Sequence, residues 1–264
     1  MEERDKPIGV FDSGIGGLTV LEELIKRFPN EKFIYIADRK YCPYGIKTAE
    51  QIRGRVQKVT SFLLNKAVKA IVVACNTSSV HISSARELTD KPVIGVIEPA
   101  CANAVKVTKN KRVAVLATLS TVNSGIYQKL LAKEGITPVT LACGEFVDFL
   151  ENNGVDDPSG EKIVAQKLQA LKDSGIDTLI HGCTHFSLLE GHMRKVLGDK
   201  ITYISCGAPT ADCLEKILYK NNLLGYQNGK GSVIIYTTGD RDRAEHSMKW
   251  FASPHSPVQH VDID

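Results

Sequence analysis

The sequence lacks the features that would place the chain in a membrane or lead it out of the cell. No apolar run approaches the roughly 20 residues that a helix needs to cross a bilayer. Residues 1–7 (MEERDKP) are charged and contain no apolar core, so no signal peptide is predicted. We therefore expect a cytoplasmic protein with no membrane partner. The 43% apolar and 24% charged residues are typical of a globular chain.

The sequence also has little net charge and no nucleotide-binding motif. The formal net charge is only +3, which is too small to indicate a nucleic-acid partner. The glycines among residues 14–17 have neither Rossmann nor Walker spacing, and no Lys-Ser or Lys-Thr pair follows them. A small-molecule substrate is therefore the expected partner.

The seven cysteines contain no C-x-x-C pair and no zinc-ligand spacing, so we expect no bound metal. Their odd number and the reducing compartment argue against structural disulfides. Most of these thiols are expected to be buried small apolar groups, which is the common fate of a free cysteine.

Two cysteines differ from the others in their surroundings. Cys75 follows the apolar, β-branched residues 71–74, and polar helix-capping residues come after it. This order predicts a buried strand, a cysteine at its carboxyl end and the N-terminus of a helix. The same order recurs at Cys183, which follows residues 179–182. Two cysteines at equivalent places in two halves of a chain predict a pair that faces one substrate.

Strand patterns alternate with helical patterns along the whole chain, which predicts parallel sheets covered by helices on both faces. The alternation restarts near Arg112, as in an internal duplication. We therefore predict an α/β protein with two pseudo-symmetric, doubly wound domains whose sheets face each other across a central cleft. Residues 1–98 and 208–264 are predicted to form the first domain, and residues 99–207 the second.

Ligands of open α/β sheets bind beyond the carboxyl ends of the strands. Four residues that can bind or react are predicted at such ends, namely Asp12, Cys75, Thr118 and Cys183. If the two sheets face each other, these strand ends converge on one cleft.

Paired thiols in such a cleft can move a proton across a carbon atom. An ordinary cysteine has a pKa of about 8.5, and a helix N-terminus next to it is expected to lower that value. One cysteine can then be a thiolate while its partner is a thiol. Two such groups on opposite sides of a carbon can remove a proton from one face and return one to the other, which is racemisation without a cofactor.

Two other interpretations stay open at this point. A single nucleophilic cysteine with a His and an acidic partner would suit a thiol hydrolase or a decarboxylase, but it leaves the second cysteine without a role. Alternatively, both cysteines are structural residues that pack under helices.

For the residues beside the cysteines, a functional role and a purely structural role are both possible. Asp12 and Ser13 can hold an ammonium group and relay a proton, or they can form a turn. His185 can assist proton transfer at Cys183, or it can be structural. Hydroxyl and amide groups that can donate to a carboxylate, or merely cap helices, are found at Asn76, Thr77 and Thr184.

Together these segments resemble the glutamate racemase family, within the wider aspartate/glutamate racemase group. The matching segments are residues 11–20 (FDSGIGGLTV), 43–45 (PYG), 74–77 (ACNT), 93–99 (VIGVIEP), 117–118 (AT) with Thr121, and 182–185 (GCTH). They extend over most of the chain in the order that the family has.

The resemblance implies two facing α/β domains and interconversion of L- and D-glutamate for peptidoglycan synthesis, without a cofactor. It implies that Cys75 and Cys183 are opposed acid and base, with Cys75 acting on D-glutamate and Cys183 on L-glutamate. Asp12 and His185 match residues that assist the two thiols. The expected substrate contacts are these two and Ser13, Tyr44, Gly45, Asn76, Thr77, Thr118 and Thr184. Asp38 and Glu151 match further acidic positions, and a homodimer is expected.

Three segments depart from the family pattern: residues 37–41 (ADRKY), 186–187 (FS) and 205–207 (SCG). Both thiols and the donors beside them are present. The departures leave two alternatives, a racemase of aspartate or another amino acid and a glutamate-binding paralogue with weak activity.

Overall fold

The computed structural model describes residues 2–225, 231–248 and 252–264. The strands of this part of the chain are β1 (Ile8–Asp12), β2 (Lys32–Ala37), β3 (Ala70–Val73), β4 (Val93–Gly95), β5 (Val113–Ala117), β6 (Val139–Ala142), β7 (Thr178–Gly182), β8 (Thr202–Ile204), β9 (Ser232–Thr237) and β10 (Gln259–His260). They form two sheets in which every pairing is parallel.

Helices cover the sheets. The α-helices of the described residues are α1 (Leu18–Arg27), α2 (Ala49–Asn65), α3 (Asn76–Ser79), α4 (Ser83–Arg86), α5 (Ile97–Val107), α6 (Leu119–Asn123), α7 (Ile126–Ala132), α8 (Gly144–Asn152), α9 (Ser159–Leu168), α10 (Glu190–Leu197), α11 (Gly207–Lys220) and α12 (Arg241–Met248). Short 3-10 turns occur at Glu3–Asp5, Arg39–Tyr41, Tyr44–Ile46, Gln169–Leu171 and Thr184–Leu189. Among the described residues, none of these helices is both long and apolar enough to span a membrane.

The two sheets repeat one arrangement of strands. The first has the order β10-β9-β2-β1-β3-β4, and the second has the order β6-β5-β7-β8. In the first sheet Val10 pairs with Tyr35 and Val72, and in the second Val115 occupies the equivalent central position. The predicted pair of parallel α/β units is therefore confirmed. The tail contributes β9 and β10 to the first sheet, next to β2.

The predicted domain boundaries, after residues 98 and 207, fall at the starts of α5 and α11. The division itself stays a prediction. The helix α5 was not predicted from the sequence, because Pro99 and the short strand before it hide the helical pattern. Proline is tolerated in the first turn of a helix, where its missing N–H would have no partner.

Alternating side chains on the central strands divide the core into three clusters. Val10 of β1 and Val115 of β5 belong to one cluster, which therefore joins the two sheets. Phe11, the next residue of β1, packs in a second cluster, and Leu116 of β5 packs in a third. Because successive strand residues point to opposite faces, each central strand fills two layers. This packing fixes the strand ends from which the candidate site is built.

Candidate active site

A cavity lies where residues that follow the carboxyl ends of strands from both sheets come together. Its wall contains Ser13 after β1, residues 42–46 after β2 and residues 75–77 after β3. From the second half it contains Thr118, Leu119, Gly144, Val147, Asp148 and residues 183–185. The convergence of strand ends is therefore observed, and both cysteines line the same cavity.

The cavity wall includes nearly all of the predicted site residues. These are Cys75, Cys183, His185, Ser13, Tyr44, Gly45, Asn76, Thr77, Thr118 and Thr184. Asp12 is almost fully buried behind this wall. The individual roles of these residues stay predictions.

Cys75 caps the helix that follows it. The backbone N–H of Ser78 donates to its Sγ atom at 3.4 Å, and the thiol donates to the hydroxyl of Ser13 at 3.7 Å. The expected lowering of the thiol pKa is nevertheless wrong for this residue. Burial, helped by the charge of Asp12, raises the pKa of Cys75 to about 12, although the Ser78 and Ser13 hydrogen bonds act in the opposite direction. One helix N–H does not offset the loss of water around a buried thiolate.

Cys183 has a different neighbourhood. The helix after it begins as a 3-10 turn, and no backbone N–H caps its side chain. Its Sγ atom lies 3.9 Å from Nδ1 of His185, whose Nε2 atom is 3.0 Å from Oε1 of Glu151. Burial disfavours the charged imidazole, but the hydrogen bonds to Cys183 and Glu151 outweigh it and raise the pKa of His185 to about 10. These contacts favour the imidazolium form of His185 beside Cys183.

Asp12 has one engaged and one free carboxylate oxygen. Its Oδ2 atom accepts hydrogen bonds from the backbone N–H groups of Gly14 at 3.1 Å and Gly17 at 3.0 Å. Its Oδ1 atom has no partner among the described residues. A buried carboxylate oxygen without a partner is unfavourable. This oxygen can therefore accept a hydrogen bond from a bound ligand.

Hydroxyl groups from both halves of the chain form a cluster at the cavity. Oγ1 of Thr77 lies 3.0 Å from Oγ1 of Thr118 and 3.3 Å from Oγ1 of Thr121. The side-chain oxygen of Asn76 accepts a 2.7 Å hydrogen bond from the hydroxyl of Tyr127. The Nδ2 atom of Asn76 has no partner among the described residues. The cluster thus offers several donors to a ligand with carboxylate oxygens.

The turn at residues 43–45 closes one side of the cavity. The Tyr44 hydroxyl donates to Asp38, so its ring rather than its hydroxyl is left for a ligand. Asp38 also receives two 2.9 Å hydrogen bonds from Arg55. Gly45 lies so close to Thr118 that an added Cβ atom would be 2.9 Å from the Thr118 Cβ atom. A residue without a side chain is therefore needed where the turn meets the second half.

Several residues of the site were missed by the sequence reasoning. Tyr127 lies on α7, and nothing in the sequence separates it from a core tyrosine. Cys42 lines the cavity as a third thiol, and burial, followed by the charge of Glu151, raises its pKa. No group of three or more potential metal-ligating His, Cys, Asp or Glu side chains occurs within the described ranges.

Comparisons with known proteins agree with one family. The family model described as Asp/Glu/Hydantoin racemase matches residues 8–212. The glutamate racemase of Bacillus cereus is 36% identical over 264 residues, with 98% of each chain covered. The solved structure of a glutamate racemase from Bacillus anthracis has a TM-score of 0.93 at 37% identity and covers 98% of each chain. A Francisella tularensis glutamate racemase, solved in complex with D-glutamate, has a TM-score of 0.86 at 31% identity, with 99% of each chain covered.

Proposed function

The chain belongs to the Asp/Glu/Hydantoin racemase family, and we propose that it interconverts L- and D-glutamate by means of two opposed cysteines. The resemblance seen in the motifs is confirmed at the level of the family, and the chain is an isomerase that acts on amino acids. Similarity over nearly the full length to proteins named glutamate racemase supports glutamate as the substrate. The observation that carries the two-cysteine proposal is that Cys75 and Cys183, from equivalent strand ends, line one cavity.

In the proposed reaction one thiolate removes the α-proton and the partner thiol donates a proton to the opposite face. Removal of the α-proton leaves a carbanion, and the proton from the partner thiol then bonds to that carbon. The product therefore differs from the substrate only in configuration. The two sulfur atoms exchange roles in each turnover. By the resemblance, Cys75 acts on D-glutamate and Cys183 on L-glutamate.

The charges of the site suit this sequence of steps. An imidazolium at His185, the form that its contacts favour, would stabilise a negative charge on the nearby Cys183 sulfur. Burial and the charge of Asp12 raise the pKa of Cys75, which favours its thiol form. The ammonium group of an amino acid placed near Oδ1 of Asp12 would counter the charge of that carboxylate. Substrate binding therefore favours ionisation of Cys75 when it is needed as a base.

The carbanion requires stabilisation at the substrate carboxylate. Donors for this group are available from Asn76, Thr77 and Thr118, at the hydroxyl cluster. Each hydrogen bond to a charged group contributes about 1.5–3 kcal/mol, so several are needed. Fixed donors are effective because they need no reorganisation as charge develops.

The test is turnover of each glutamate enantiomer in deuterated buffer, followed by circular dichroism and by mass spectrometry. Wild type should racemise glutamate and incorporate deuterium at the α-carbon. Cys75→Ala and Cys183→Ala should each stop racemisation, and Cys213→Ala, on α11 away from the cavity wall, should not. Unchanged racemisation by either of the first two variants would falsify the two-cysteine mechanism.

The same assay with aspartate addresses the alternative substrate. Faster racemisation of aspartate than of glutamate would replace the proposed substrate while keeping the mechanism. Glutamate binding without α-deuterium incorporation would instead indicate a binding paralogue.

We further propose, from the resemblance, that the product D-glutamate supplies peptidoglycan synthesis in the cytoplasm and that the enzyme is a homodimer. Expression of the chain should allow a bacterium that requires D-glutamate to grow without it. Analytical ultracentrifugation should give twice the mass of one chain. Failure of growth, or a monomeric mass, would contradict the respective proposal.

A further inference from the structure

Arg39 lies in one of the segments that depart from the family pattern, and it forms an ion pair across the molecule. It follows β2 of the first sheet, whereas its partner Glu151 lies near the end of α8. The Nη2 atom of Arg39 donates to Oε2 of Glu151 at 3.0 Å, and the two side chains are only 9% and 16% exposed. A pair this well shielded from water interacts more strongly than an exposed one.

The two carboxylate oxygens of Glu151 have separate partners. Oε2 accepts from Arg39, while Oε1 pairs with Nε2 of His185 at 3.0 Å. The other ring nitrogen of His185 lies 3.9 Å from Sγ of Cys183. Arg39 is thus the outer end of a continuous chain of contacts that reaches one of the proposed catalytic thiols.

Arg39 is itself held in place by the tail of the chain. An added Cβ atom on Gly239 would stand 2.7 Å from the Cβ atom of Arg39, so the tail backbone packs directly on this residue. The hydroxyl of Ser247, on α12, lies 3.5 Å from its Nη1 atom. The guanidinium group is therefore fixed before a substrate arrives.

Glu151 needs such a partner because it faces open space on its other side. It lines a second cavity of about 310 Å³, together with Arg39 and Arg243. A glutamate side chain has three rotatable bonds, and without Arg39 the carboxylate could turn toward water in this cavity. The direct bond to His185 would then be lost.

We propose that Arg39 is a positioning residue that holds the Glu151 carboxylate so that His185 stays directed at Cys183. The inference rests on the proposed function and concerns the half of the site assigned to L-glutamate. Arg39 is not part of the wall of the cavity that contains both cysteines. It acts through Glu151 and His185 on the proton transfer at Cys183.

Other charged or titratable groups surround this chain of contacts. Arg243 of α12 donates to the backbone oxygen of Glu151 at 3.2 Å, not to its carboxylate. Its charge also favours the ionised form of Glu151. Further titratable neighbours that face Glu151 or the cavities beside it are Asp12, Tyr35, Cys42, Tyr44, Cys75, Asp148 and Asp240.

The proposal makes a prediction about the sign of a pKa change. Removing the positive charge of Arg39, with Glu151 unmoved, would raise the pKa of His185, because a nearby cation disfavours the imidazolium. Losing the hydrogen bond that His185 donates to Glu151 would lower that pKa, because this bond is one of the contacts that raise it to about 10. A fall therefore indicates that the carboxylate has moved.

The experiment compares wild type with Arg39→Gln, Arg39→Lys and the control Arg243→Gln. The pKa of His185 is measured by NMR titration of labelled histidine rings, with the signal assigned by its absence in His185→Gln. For Arg39→Gln we expect a fall of about one pH unit or more in this pKa and a decrease of about tenfold in kcat, with KM changed less than about twofold. Arg39→Lys should recover most of both effects, and Arg243→Gln should show neither.

Racemisation supplies an internal check on these rates. The equilibrium constant between enantiomers is one, so kcat/KM must fall equally in both directions. An unchanged or raised pKa of His185 in Arg39→Gln would overturn the proposal, even if kcat fell, because the loss would then be merely structural. Equal effects of Arg243→Gln would overturn it as well.

A second variant and the NMR titration test the proposal even if the first variant does not fold or wild type is inactive. If Arg39→Gln does not fold, Arg39→Met retains the apolar stem of the side chain and replaces it in both measurements. If wild type does not racemise glutamate, the proposed function fails, but the NMR titration still decides whether Arg39 positions Glu151 and His185.

Discussion

The hydroxyl of Tyr127, on α7, donates a 2.7 Å hydrogen bond to the side-chain oxygen of Asn76, on α3. Because this oxygen is engaged, the amide group of Asn76 has a fixed orientation. Its Nδ2 donor has no partner among the described residues, and Asn76 lines the cavity. The pair therefore directs an unpartnered donor at the cavity, and it is built from both halves of the chain.

Tyr127→Phe should weaken substrate binding without stopping the reaction. The variant removes one hydrogen bond, which is worth about 0.5–1.5 kcal/mol, so KM for glutamate should rise by a factor between about 2 and about 13. Steady-state kinetics in both directions measures this change. Tyr203→Phe is the matched control, since the hydroxyl of Tyr203 is directed at the backbone oxygens of Met193 and Gly198 and Tyr203 is not part of the cavity wall. An unchanged KM in Tyr127→Phe would mean that Asn76 does not need this anchor.

Gly16→Ala should disturb the Cys183 side of the site. An added methyl group would stand 2.5 Å from Nδ1 of His185 and 2.6 Å from Oγ1 of Thr184. Both side chains would have to shift, so kcat should fall at least about tenfold, as expected for a misplaced catalytic group. Measurement of kcat and of deuterium incorporation checks this.

Gly54→Ala is the matched control for that substitution. Gly54 lies in α2, and an added Cβ atom meets nothing within 4 Å. Alanine is the better helix former, so the free energy of unfolding should rise by about 0.5–1 kcal/mol with unchanged kcat. If Gly16→Ala behaved like Gly54→Ala, the close packing at His185 would have no catalytic importance.

The fold could be predicted because it depends on local patterns. Apolar strands that end in polar residues are visible in the sequence at Cys75 and Cys183, and the alternation of strands and helices fixes parallel sheets. The pKa of Cys75 could not be predicted in the same way. It depends on how completely the folded chain removes water from the sulfur atom, whereas the sequence shows only the capping residues next to it.

Contacts between residues that are far apart in the sequence could not be predicted either. Tyr127 and Asn76 are separated by 51 positions in the sequence, and Arg39 and Glu151 by 112. Neither pair leaves a periodic pattern that indicates the contact. The unusual residues at 39–41 marked a departure from the family, but only the structure shows that Arg39 faces the second half.

Asp38→Asn should destabilise the protein strongly. Asp38 is fully buried and accepts two hydrogen bonds from Arg55, whose side chain is 7% exposed. The amide keeps the shape of the carboxylate but leaves a buried cation without its counter-ion, which costs about 3–5 kcal/mol of unfolding free energy. Urea unfolding measures this loss.

The exposed ion pair between Arg194 and Glu190 provides the comparison for Asp38. Its side chains are 40% and 29% exposed, so Glu190→Gln should change the free energy of unfolding by less than about 1 kcal/mol. Equal losses in the two variants would show that burial does not strengthen the Asp38 pair.

His181 should make the stability of the protein depend on pH. It lies in β7 with 1% of its surface exposed, and neither ring nitrogen has a hydrogen-bond partner among the described residues. Burial, followed by the charge of Arg194, lowers its pKa from 6.5 to about 3. Below pH 6.5 the unfolded chain therefore binds a proton that the folded chain does not.

The sign follows from this difference in proton binding. The contribution of His181 is complete above pH 6.5 and should be lost as the pH falls, by up to about 1.4 kcal/mol per pH unit. His185 has a raised pKa, so its contribution is complete below pH 6.5 and is lost as the pH rises from 6.5 through 10. Glu151 has a lowered pKa and loses its contribution only below its ordinary value of 4.5. Between about pH 6 and 5 the slope therefore comes from His181 and not from these two groups, and His81, whose pKa is also lowered by burial and by Arg53, adds to it.

His181→Phe should reduce the slope of the stability profile in that interval, because the apolar ring has no proton to bind and the histidine makes no side-chain hydrogen bond to a described residue that would be lost. Urea unfolding at several pH values measures the slope, which is independent of any constant packing penalty from the larger ring. His260→Asn, at an exposed position on β10, should leave the slope as in wild type. A slope in His181→Phe equal to that of wild type would mean that His181 is protonated in the folded protein, with the nearby Glu190 carboxylate, 3.9 Å away, as its partner.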